Sequence, residues 1–129
     1  MPRVFVTNEP LRVHTATQKE QRMMDFTPAR EFGEIIHLTP AGRLPNDSSA
    51  VCEMIETSMT EHDFQENDYL LTVGDMRAIV AASGIAAMMW GRVNLLVWRG
   101  YDRAYDAVTI DFPEMKMPVA TGNIEGFSR

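Results

Sequence analysis

The clearest hydrophobic pattern in the chain runs from Asp68 to Trp98. Tyr69 to Val73 is a short run of strand-favouring residues, and Val93 to Trp98 is another. Runs that are apolar nearly throughout suit strands covered on both faces, as in a parallel sheet. Between them, Met76 to Trp90 has only Arg77 and Ser83 as polar side chains, which predicts a buried helix. Asp75 stands where a carboxylate accepts from the free N–H groups of the first turn. Gly91 stands where a left-handed stop is wanted. The whole is one βαβ unit of about 30 residues, with a right-handed crossover expected. Fifteen residues of helix rise only about 22 Å, short of a hydrocarbon core of roughly 30 Å, so no membrane span is expected. A helix that is apolar all round must be covered on most sides, which points to a homodimer.

Weaker patterns flank this unit. Arg3 to Thr7 predicts a first strand, broken by Asn8-Glu9-Pro10. Leu11 to Phe26 is mixed and polar, with weak helical character around Gln18 to Met24, and is expected to be an insertion or a mobile loop. Thr27 to Gly33 predicts a short helix with Thr27 as cap, Pro28 in the first turn and Gly33 as stop. Glu34 to Leu38 predicts a strand, and Ser48 to His62 a helix whose apolar stripe is Val51, Cys52, Ile55, Met59 and His62. Tyr105 to Phe112 alternates with period two and should pair antiparallel with Val93 to Trp98. Pro113 to Arg129 lacks periodicity and reads as a C-terminal tail. The expected fold is α/β: a three-layer sandwich with a mainly parallel sheet, in the order β-α-β-α-β-α-β-β, ending in an antiparallel edge strand. One domain is expected over 1–112, the 11–26 segment included, followed by the 113–129 tail.

Size and charge narrow the function classes. At 129 residues the chain is long enough for one real core, and 45% hydrophobic with 23% charged residues is ordinary for a globular domain. The one cysteine, Cys52, excludes an internal disulfide and suits a reducing compartment. Net charge is −6, and it is uneven: from Leu44 to Met76 there is no Lys or Arg, while Asp47, Glu53, Glu56, Glu61, Asp63, Glu66, Asp68 and Asp75 all fall there. A nucleic-acid footprint needs clustered Lys and Arg, so no direct nucleic-acid binding is expected. Glu53, Glu56, Glu61, Asp63 and Glu66 instead suit a partner with a basic surface, or else a solvated face.

Candidate chemistry is sparse. In an open α/β sheet, ligands bind beyond the carboxyl ends of the strands, which here carry Thr7, Asn8, Thr39, Gly74 and Asp75. Gly74 lets backbone approach a ligand closely, although Gly74-Asp75 is also an ordinary strand-to-helix corner with a cap. There is no Gly-rich dinucleotide or P-loop signature, so no cofactor is expected. His14, His37 and His62 lack metal-ligand spacing with each other or with Cys52, so no metal site is expected. No nucleophile elbow occurs, and no carboxylate pair is singled out for hydrolysis. A non-enzymatic role is therefore expected ahead of an enzymatic one.

Asp68 to Asp111 also resembles a group of small, mostly uncharacterised bacteriophage proteins. The resemblance rests on the corner D-Y-L-L-x-x-G-[DN], met here by Asp68 to Asp75, on the Ala-rich helix and on a strand ending in Trp98. The first strand and Phe32 to Leu38 fit the same pattern. Relatives carry Asp after that Trp, where this chain has Arg99-Gly100, and they lack the long Leu11–Phe26 segment. The resemblance implies a viral accessory protein acting in the cytoplasm of the infected bacterial cell. It suggests three readings in order: binding of a host or phage protein through the acidic stretch, binding of a nucleotide or metabolite at the strand ends, and metal-dependent hydrolase or nuclease activity.

Overall fold

A computed structural model describes residues 1–13 and 16–113. His14 and nearly all of the expected tail lie outside the described residues. Five strands form the main sheet: β1 (Arg3–Val6), β4 (Glu34–His37), β5 (Tyr69–Leu71), β6 (Arg92–Arg99) and β7 (Ala104–Asp111), in the spatial order β4-β1-β5-β6-β7. β1 pairs in parallel with both β4 and β5, β5 pairs in parallel with β6, and β7 returns antiparallel on β6. The fold is thus α/β with a mostly parallel sheet and an antiparallel edge strand, as the pattern predicts. Numbered within this sheet alone, the order is 2-1-3-4-5, a doubly wound order whose switch point lies between β1 and β5.

Alternation along the strands divides the core in two. Phe5, Leu70 and Val93 face α1 (Ser48–Glu61) and α2 (Met76–Trp90), where they meet Val51, Ile55 and Met59 of α1 and Ala78, Ala82 and Ala86 of α2. Three alanines four residues apart let α2 lie close to the sheet. Val4, Val6, Leu71 and Leu96 face the other way, under Phe26 and Ala29. Among the described residues that second face carries one 3-10 helix, Thr27–Phe32, and no α-helix, so the expected sandwich is thin on that side.

α2 spans Met76–Trp90 as its pattern predicts, with Asp75 accepting from the Arg77 N–H at 2.8 Å and Gly91 in the left-handed region at φ 71°. Asp47 caps α1 by accepting from the Ser49 N–H. The 3-10 helix differs from its expectation at the start: Thr27 lies inside it, Phe26 holds the N-cap position without a side-chain cap, and Asp25 accepts from the Thr27 N–H and hydroxyl. Among its described residues the Leu11–Phe26 segment shows no helix. β2 (Leu11–Val13) and β3 (Glu20–Arg22) form a two-stranded antiparallel ribbon instead. Glu9 pins the ribbon to the end of β1 by accepting from Arg22 Nε at 2.6 Å and Nη2 at 3.1 Å.

Cys52 is exposed, not part of the core stripe. Val51, Ile55 and Met59 already fill the buried face at four-residue spacing, and Cys52 is turned about 100° from Val51 around the axis.

Candidate crevice and acidic face

The five residues expected at the strand ends do converge. Thr7 is fully buried, its hydroxyl donating to the Val73 carbonyl at 2.6 Å and accepting from the Val73 N–H. Thr39 is buried too, donating to the Thr7 carbonyl. Asn8 is the hub. Its amide N–H groups reach the Thr39 hydroxyl and the Pro40 and Gly42 carbonyls, and its side-chain oxygen accepts from the Asp75 N–H at 2.9 Å. Gly74 sits at φ 81°, where a Cβ would overlap the Asn8 carbonyl oxygen. The close approach that Gly74 permits is therefore to Asn8.

Above this floor lies a crevice of about 470 Å3 lined by Asn8, Gly74 and Asp75, but not by Thr7 or Thr39. Arg43 and Arg77 also line it. Arg77 is held down, donating to both Asp75 carboxylate oxygens and to the Asn46 carbonyl. The Arg77 guanidinium is the main reason the Asp75 carboxyl stays below the usual carboxylate range. Because its folded value is depressed, the capping contribution is complete above the unfolded value of 3.8 and is lost as pH falls through the lower folded one. Arg43 is exposed and makes no ion pair among the described residues. Sequence reasoning missed Arg43 and Arg77, because neither lies at a strand end.

Glu53, Glu56, Glu61, Asp63 and Glu66 are all exposed on α1 and the loop after it. Among the described residues no cation pairs with any of these carboxylates. Glu53 and Glu61 flank a shallow groove of about 450 Å3 between α1 and Leu38. The Arg3 guanidinium, near the end of α1, is directed at the His62 and Asp63 carbonyls and the buried Asp68. His62 is similarly engaged, its Nδ1 lying 2.9 Å from the Ser58 carbonyl and its ring edge-on to Phe5.

Further cavities lie on the thin face. One of about 210 Å3 is lined by Arg22, Arg30 and His37, with the buried Glu9 carboxylate 3.9 Å from His37 Nδ1. A second, of about 680 Å3, lies beside Trp98 and Tyr105. Among the described residues no group of three or more His, Cys, Asp or Glu side chains converges as a metal site would require. Nor is any described helix long and apolar enough to cross a membrane.

Strand order and switch-point crevice define the class: an open α/β protein with its crevice beyond the strand ends. A family model described as "Phage Pam3 gp32-like protein" matches residues 2–112. The chain belongs to that family of phage proteins, in keeping with the phage kinship that its Asp68–Asp111 pattern implies. No curated protein and no solved structure matches it.

Proposed function

We propose that this is a non-enzymatic phage accessory protein that binds a host or phage protein through the acidic outer face of α1 and the loop after it, in the cytoplasm of the infected cell. The observation that carries this reading is the set of five exposed carboxylates at Glu53, Glu56, Glu61, Asp63 and Glu66, unpaired among the described residues. Unpaired charge of one sign steers a partner of the opposite sign and raises its association rate. The partner is accordingly a protein with a basic patch. Reversing Glu53, Glu56 and Glu61 to lysine is expected to abolish its capture from lysate. Urea unfolding should shift by no more than about 0.5 kcal/mol per substitution, because all three side chains are exposed. Capture that survives the triple reversal would place the interface elsewhere.

A second reading is favoured by the Arg43 guanidinium on the switch-point crevice, unpaired among the described residues: an anionic nucleotide or metabolite bound there. A thermal shift from a nucleotide panel should then be lost in Arg43→Ala. It should persist in Asp75→Ala, which removes about 1 kcal/mol of helix cap. A shift unchanged in Arg43→Ala would contradict a ligand at this crevice.

A further inference from the structure

α2 is flanked by α1 and stands on β6, and its remaining side is uncovered among the described residues. Met76, Val80 and Met88 lie along that side at helical spacing, 67%, 63% and 81% exposed. Gly84 completes the row, with no atom within 4 Å of where a Cβ would stand. The hairpin register extends the surface. Val93 and Leu95 of β6 belong to the core beneath α1 and α2, and they pair with Ile110 and Val108 of β7. Residues directly opposite share a face, so Ile110 and Val108 point to the α2 side. Val97 shares that face by alternation, and all three are exposed. Phe112 joins them, its N–H bonded to the Gly91 carbonyl at the end of α2.

From this we infer that α2 and the outer half of the β6–β7 hairpin form the interface with a second copy of this chain. Three observations select that occupant. The first is size. Seven large apolar side chains, 39% to 81% exposed, line this surface, and a contiguous exposed apolar patch of that extent marks a protein interaction site. The second is charge. Between Met76 and Trp90 the only charged side chain is Arg77, which is bound to Asp75 and the Asn46 carbonyl. On the hairpin the same face carries Arg99 and Asp106, the latter opposite Val97, and these two pair with each other at 3.3 Å, so the surface offers no unpaired charge to a steered partner of opposite sign. The third is shape. The bare Gly84 between Val80 and Met88 is a notch in which the same row of a two-fold-related helix fits, its own Gly84 facing back.

Sedimentation equilibrium of the full chain tests this. The expected mass is twice the 14.6 kDa of one chain. Val80→Asp and Met88→Lys should each raise the dimer dissociation constant at least tenfold with an unchanged circular dichroism spectrum, while Glu56→Lys leaves it unaltered. A monomer at every concentration up to about millimolar would overturn the inference, and so would a dimer indifferent to both substitutions.

Discussion

Replacing Asp68 with alanine is expected to lower the unfolding free energy by about 3 kcal/mol, the lower end of the range for breaking a buried ion pair. Asp68 is 2% exposed and accepts from the Arg3 N–H at 2.8 Å, from Arg3 Nη2 at 3.0 Å and from the Gln65 N–H at 2.6 Å. The Arg3 side chain also donates to the His62 and Asp63 carbonyls. One carboxylate thus ties the start of β1 to the loop that carries the chain from α1 into β5. Without it, two backbone N–H groups lose their acceptor and a part-buried guanidinium loses its counter-charge. The lower end of the range applies because the Arg3 side chain is 27% exposed, so water reaches it. Asp68→Asn keeps one acceptor oxygen and should lose about half as much. Urea unfolding of the two variants measures both, and a loss below about 1 kcal/mol in Asp68→Ala would mean that water replaces the carboxylate.

Gly74→Ala is expected to cost a similar amount, about 3 kcal/mol, by a different route. The left-handed conformation at φ 81° penalises any Cβ by roughly 1–2 kcal/mol. Overlap with the Asn8 carbonyl and side-chain oxygens adds an overpacking cost of about 1–3 kcal/mol. Relieving that overlap moves Asn8 away from Thr39, Gly42 and Asp75 together, so the corner loses its order as well as its stability. Gly84→Ala is the matched comparison. Its Cβ meets nothing within 4 Å and it lies inside a helix, where alanine is favoured by up to about 1 kcal/mol. Equal effects of the two substitutions on guanidinium unfolding would contradict the assignment of Gly74 to close backbone approach.

Legibility followed the strength of local signals. α2 was readable to the residue because an apolar run, an Asp cap and a Gly stop agree with one another over Asp75–Gly91. The strand ends were readable as a group, since alternation of strands and helices places them on one side of the sheet. How their side chains are used was not. Thr7, Asn8 and Thr39 look like ligand groups in the sequence, yet they close a hydrogen-bonded floor under the crevice. The β2–β3 ribbon is not legible in the sequence because three-residue strands carry too little alternation to register. Glu9 was hidden inside what reads as a strand breaker, and its partner Arg22 lies across the ribbon. Cys52 lies one position beyond the buried face of α1, a shift that its short stripe does not resolve.

The most direct test of the binding role compares three tagged forms side by side in pull-downs from host lysate, quantified by mass spectrometry: the wild type, the Glu53, Glu56 and Glu61 to lysine variant, and Arg43→Ala. The expected result is one stoichiometric protein with a basic patch, retained by the wild type and by Arg43→Ala and lost by the acidic-face variant. Equal retention by all three forms, or no partner for any of them, would contradict a function exercised through the acidic face.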